Sequence, residues 1–195
     1  GAASTDMPSN GAVMKIAPIG LWHWQQGEEI REDAIALSQV THRDPRAVAA
    51  AVSIAHVVGH LVTHRPLDTN EVLDVAEWSA RPIHEPTGEL IGQVRRLLQL
   101  PEDEAYDEML SLPESAFTRG QGFPGEAPIS AVVALEAFLR TPREFEETIY
   151  RSLVAGGDVD TFAAIAGTMS GVYNGVGGLP DHLLEDLTDE SEIRE

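Results

Sequence analysis

The chain reads as an all-α protein, and three observations carry that reading. No segment alternates apolar and polar residues for long enough to make a half-buried strand. Apolar residues recur instead at helical spacing, as at Ile30, Ala34, Ile35 and Leu37. Helix starts are also written into the chain. Asp44-Pro45 places a capping side chain before a proline at the first helical position, and Thr141-Pro142-Arg143-Glu144 has the form of a capping box.

Taken in order, residues 1–10 are small and polar and read as a loop. It runs abruptly into Gly11–Trp22, an apolar stretch expected to be buried. Glu28–Val40 is the first clear helix. The next starts at Asp44-Pro45, runs to about His64 and is apolar nearly all round through Ala47–Ala55, so it is expected to be enclosed. Helices also fit Asn70–Ser79, Glu89–Leu100 and Pro101–Leu110, punctuated by Pro82, Pro86 and Pro101. Residues 111–127 read as a loop, and Pro128 opens a strongly apolar helix to about Arg140. The helix from the Thr141 box carries Phe145, Ile149 and Leu153 on one stripe. After a Gly156-Gly157 turn comes a helix rich in small residues. Ala163, Ala166, Gly167, Ser170 and Gly171 would let another backbone approach closely. Gly177-Gly178-Leu179-Pro180 is expected to end it, and Asp189–Glu195 forms a charged, frayed tail. No repeat or linker divides the chain, so residues 1–195 read as one domain.

Composition narrows the function. A formal net charge of −19 over 195 residues argues against nucleic acid and anionic membranes as partners. The absence of cysteine excludes disulfides and thiolate metal sites and fits a cytoplasmic setting. No stretch has the length of a membrane span, and the first residues lack a signal-peptide layout.

The most informative stretch is Gly156-Gly157-Asp158-Val159-Asp160-Thr161. Asp158, Asp160 and the Thr161 hydroxyl can turn oxygens toward one point, a hard-ligand set suited to Mg²⁺, Ca²⁺ or Mn²⁺. An aspartate before a helix is also a common N-cap, but one carboxylate suffices for that. Ser9-Asn10-Gly11 and Gly120-Gln121-Gly122 are further glycine turns whose backbone N–H groups could meet a phosphate, or could be plain turns. His42, just before the Asp44 cap, could reach a ligand or be satisfied within its own turn. His56, His60 and His64 recur at a spacing zinc can use, but no cysteine exists and no acid shares that face. They read as polar positions at the exposed end of a buried helix.

Four motifs in order complete the pattern: Asn10–Gly20, Thr41-His42-Arg43-Asp44-Pro45-Arg46, Gly120-Gln121-Gly122-Phe123 and Gly157–Gly167. Together they resemble the ADP-ribosylglycohydrolase family over nearly the whole chain. The resemblance implies an orthogonally packed multi-helix bundle and a cleft that binds ADP-ribose above two Mg²⁺ (or Mn²⁺) ions. It implies that Asp158 and Asp160 are catalytic, and that Asp158, Asp160 and Thr161 are metal ligands. By the same resemblance Ser9, Asn10, Gly11, Met14 and His42 bind substrate, with Gly120, Gln121, Gly122 and Phe123 on the adenosine side. The implied reaction is hydrolytic removal of ADP-ribose from a protein side chain or a small molecule. One departure stands out. The family's Thr-Asp-Asp-Thr motif, the other half of its metal site, has no counterpart here. The expectation is therefore an N-terminally incomplete domain, its missing segment either in a partner chain or removed by truncation, or a non-catalytic ADP-ribose-binding or assembly protein.

Overall fold

The computed structural model describes residues 4–112, 125–185 and 187–188. Among them are eleven α-helices: α1 (Ala17–Trp22), α2 (Gly27–Gln39), α3 (Pro45–Leu61), α4 (Thr69–Ala80), α5 (Glu85–Gly92), α6 (Val94–Leu97), α7 (Glu102–Leu110), α8 (Ala127–Arg140), α9 (Phe145–Val154), α10 (Val159–Asn174) and α11 (Asp181–Glu185). No strand occurs among the described residues, only two isolated bridges, Thr5 with His42 and Ser9 with Glu126. None of these helices is long and apolar enough to cross a membrane.

Helices α3 and α8 form the centre because neither has a face that tolerates water; nearly every residue of both is buried. They pack on each other. Around α3 lie α1, α2, α4 and α5; α8 is flanked by α5, α6, α9 and α10. A 3₁₀ helix, Asn10–Lys15, rests where α3, α8 and α10 converge. That convergence positions the candidate site.

Local chemistry fixes the helix ends. The Asp44 carboxylate caps α3 by accepting from the Arg46 backbone N–H at 2.9 Å, and the Arg46 guanidinium returns to it at 2.8 Å. The same arginine holds the Asp44 carboxyl below the ordinary aspartate value. At the opposite ends, Arg65 donates to the carbonyls of Leu61 and Val62 at the end of α3. It also donates to those of Val172 and Tyr173 at the end of α10. One guanidinium thus satisfies orphan carbonyls of two helices and complements both dipoles.

The small-residue face of α10 behaves as its composition predicts. A Cβ on Gly167 would stand 2.8 Å from Ile149 Cδ1 of α9, so glycine lets that side chain lie directly on the α10 backbone. Other boundaries differ from expectation. The segment expected as one helix over Glu89–Leu100 is two, broken at Gln93, and the first begins at Glu85. Pro86 there opens a helix capped by His84 rather than interrupting one. The Thr141 capping box does not cap. Its carbonyl accepts from Glu144 N–H and from the Thr148 hydroxyl, which makes a turn, and α9 starts after Glu144. Helix α10 ends at Gly175, in a left-handed conformation (φ +67°), two residues before Gly177. The stretch Gly11–Trp22 is buried on only one side. It winds as two short helices, which turns Met14 and Leu21 outward and leaves Trp22 81% exposed.

Candidate functional site

The turn before α10 creates the site. Gly156 and Gly157 both take positive φ, 72° and 83°, which an L side chain resists, so two glycines in sequence are what let the chain reverse there. Asp158 then occupies the N-cap position of α10 without spending its side chain on a cap. Its Oδ2 accepts instead from Asn10 Nδ2 at 2.6 Å. Asp160 does the local work: its Oδ1 accepts from the Thr161 N–H at 3.0 Å. The Asp160 carboxyl titrates below the ordinary value. The first cause is its hydrogen bond with the Asp158 carboxyl, followed by the Thr161 N–H. Two acidic side chains are therefore held against each other. Buried Thr161 completes the corner, with Oγ1 4.0 Å from Met14 Sδ.

Asn10 is the hub across the chain. Besides Asp158, its amide donates to Ser130 Oγ of α8 at 3.0 Å, and Ser130 donates on to the Glu126 carbonyl. Its backbone N–H is used by the Gly125 carbonyl at 2.9 Å, while Ala127 N–H donates to Pro8. The Asn10 N–H is therefore not available to a phosphate, contrary to what the glycine turn suggested.

A second group sits beside it. Ser9 Oγ lies 2.9 Å from His42 Nε2, His42 Nδ1 lies 2.8 Å from Thr41 Oγ1, and Lys15 Nζ donates to that hydroxyl at 2.5 Å. The His42 ring is buried against Gly11, where a Cβ would stand 2.8 Å from Cε1. Desolvation first, then the Lys15 ammonium, hold His42 below the ordinary histidine pKa.

Ser9, Asn10, Gly11, Met14, His42, Asp158, Asp160 and Thr161 thus lie along two connected hydrogen-bonded groups. Gly120, Gln121, Gly122 and Phe123 lie outside the described residues. His56, His60 and His64 do not make a site. His60 and His64 stack face to face at 3.8 Å, and His64 Nδ1 lies 2.8 Å from the His60 carbonyl oxygen. His56 is not at an exposed end: it is 6% exposed, with its ring against the edge of Trp78. The structure also adds Lys15, Thr41 and Ser130. Ser130 had a visible signal, a hydroxyl inside an otherwise apolar run; Lys15 and Thr41 fall within the family motifs, but their contact with each other spans 26 residues and had no signal.

The ADP-ribosylglycohydrolase family model matches residues 1–195. The chain belongs to that family. An uncharacterized protein of Archaeoglobus fulgidus is 26% identical over 195 residues, covering 95% of this chain and 55% of that protein. The ADP-ribosyl-[dinitrogen reductase] glycohydrolase of Rhodospirillum rubrum is 23% identical over 190 residues, covering 95% and 53%. A solved ADP-ribosylglycohydrolase-related protein complex superposes with a TM-score of 0.71 at 25% identity, over 97% of this chain and 59% of the other. The chain spans about half the length of the curated relatives it matches.

For an ADP-ribosylglycohydrolase-type fold, the donor chemistry at Asp158, Asp160 and Thr161 fits a hard divalent cation. Two carboxyls and a hydroxyl at one corner are the hard oxygen donors such a cation takes. The set fits one side of a coordination shell only. Mg²⁺ takes about six oxygens, and among the described residues no group of three or more His, Cys, Asp or Glu side chains gathers into a metal site.

Proposed function

We propose that this protein is a metal-dependent hydrolase that removes ADP-ribose from a modified protein side chain or a small molecule. The observation that carries the reading is the meeting of Asp158, Asp160 and Thr161 with Asn10 and Met14, brought together from opposite ends of the chain. In this reading Asp158, Asp160 and Thr161 hold Mg²⁺ or Mn²⁺. The metal supplies polarisation of a ribose oxygen and a water made more acidic. Asn10 fixes the Asp158 carboxylate in one orientation by a charge-assisted hydrogen bond. Ser9, Gly11, Met14 and His42 line the substrate, and Gly120–Phe123 take the adenosine side. The other ligands of a two-ion site come from a further segment, which in the family, by the resemblance, lies N-terminal to these motifs.

The test is calorimetric titration of Mg²⁺ and Mn²⁺ with ADP-ribose present, on the wild-type chain and on Asp160→Ala. Release of ADP-ribose from modified arginine and serine peptides is followed alongside, with the partner segment added. Stoichiometric metal that Asp160→Ala abolishes, with ADP-ribose released, is the expected result. Failure to bind metal or release ADP-ribose in that mixture counts against it.

A second reading is favoured because, among the described residues, no third carboxylate or imidazole joins Asp158 and Asp160: a non-catalytic ADP-ribose-binding protein. It predicts binding that survives chelation and Asp158→Ala.

A further inference from the structure

We infer that Lys15 and Thr41 are positioning residues that fix the tautomer of His42 and so orient the Ser9 hydroxyl as a hydrogen-bond donor to the ligand. The ligand half of this inference rests on the ADP-ribose reading of the cleft.

The proton order follows from which group can only donate. A lysine ammonium has three donors and no acceptor, so at 2.5 Å Lys15 Nζ gives a proton to a lone pair of Thr41 Oγ1. The threonine hydroxyl has one proton of its own. Its acceptors are the Ser38 carbonyl at 3.5 Å and His42 Nδ1 at 2.8 Å, and the shorter contact takes it. His42 Nδ1 is then a lone pair. A neutral imidazole with a bare Nδ1 carries its proton on Nε2. Burial and the Lys15 charge both favour the neutral ring. Nε2–H, 2.9 Å from Ser9 Oγ, therefore donates to the serine. The Ser9 proton is directed away from the ring, toward an acceptor oxygen of a ligand.

This order has a chemical consequence. A serine beside a histidine invites reading as a nucleophile and its base. Here Nε2 already bears a proton, so it cannot take the one on Ser9. The pair binds; it does not attack. The ring also has one seat. Gly11 leaves no room for a Cβ at its Cε1 edge, and the backbone at Thr41–Arg43 is tied to Ser38 and Thr5 by bonds of 2.8 Å.

The experiment is ¹⁵N NMR of the histidine rings in the full chain at pH 8, with His42 assigned by its loss in His42→Gln. The expected spectrum of the ligand-free protein has His42 protonated on Nε2 and bare on Nδ1. Thr41→Val keeps the side-chain shape on an exposed position and removes the relay. It should release the tautomer preference and weaken ADP-ribose binding about tenfold, the scale of one hydrogen bond to a charged group. Thr41→Ser should restore both. Lys15→Met, which keeps Thr41, should move the ring shifts in the same direction by less. A wild-type His42 protonated on Nδ1, or ring shifts unchanged in Thr41→Val, overturns the relay. Ring shifts that move while affinity stays constant overturn the role of Ser9. Because the tautomer is read without ligand, failure of every form to bind ADP-ribose counts against the functional reading alone.

Discussion

In the α3–α8 centre, Val52, Ile54, Leu135 and Phe138 are sealed from water by apolar neighbours on every side. At the seam where Asn10 meets Asp158, the contacts are few and polar, and they span 148 residues of sequence. The first region is stabilised in proportion to the area it buries, at roughly 25 cal/mol per Å². Each hydrogen bond of the second contributes about 1 kcal/mol net, yet its geometry decides what the protein can hold. Stability and chemistry are thus carried by different residues. Mutations should divide the same way.

The largest effect on stability is expected in the centre. Phe138→Ala should cost about 4 kcal/mol, read as a lower urea midpoint, because the site cannot collapse around the lost ring. At the seam the division should invert. Asp158→Ala leaves Asn10 still bonded to Ser130, so it should lower stability by no more than about 1 kcal/mol. Under the proposed reading, ADP-ribose release in the presence of metal should meanwhile fall at least about a hundredfold. A large loss of stability from Asp158→Ala would break the comparison, since it would make the seam part of the core.

Acid offers an intermediate test, because a histidine lies inside the apolar region. His56 is lowered to about 4, first by burial and then by the Arg31 charge. Its folded pKa lies below the unfolded value, so its contribution is fully present above pH 6.5. It is lost as pH falls from 6.5 toward 4, when the unfolded chain takes a proton the folded one refuses. The loss should approach about 3 kcal/mol at its limit. His42 and His60 are lowered as well and act in the same direction. Urea titrations between pH 7 and pH 4 on wild type and His56→Leu separate them. The variant's stability should fall less steeply, by about one proton's worth of slope.

How much was legible in the sequence follows the same division. The enclosure of α3 and α8 could be read because it is a property of each residue and its neighbours at helical spacing. The Asp44 cap was legible for the same reason. The Thr141 box failed because its hydroxyl donates back to the Ala137 carbonyl of α8 and meets the Thr148 hydroxyl, a competition that residue types do not show. Trp22 was misplaced because apolarity says nothing about which side of a short helix faces its neighbour. In the site, Asp158, Asp160 and Thr161 were visible as one cluster, and the resemblance added Ser9, Asn10 and His42. Ser130, Lys15 and Thr41 were not found. Their roles exist only once residues 9–15 lie across α8 and the end of α2.

The smallest effect should come from the turn that joins the two regions. Gly157 sits at φ +83°, where alanine is strained by about 1 kcal/mol. Gly157→Ala should therefore move the urea midpoint slightly, far less than Phe138→Ala. Its more informative consequence is directional. The backbone can relieve the strain only by rotating toward negative φ, and that rotation carries Asp158 away from Asn10, since nothing else lies between the glycine and the N-cap of α10. Metal affinity measured by calorimetry should fall by more than the stability loss alone accounts for. If affinity and stability fell together in proportion, the turn would be a structural hinge of the core. If affinity fell alone, the turn belongs with the seam, and its two glycines serve to aim a carboxylate.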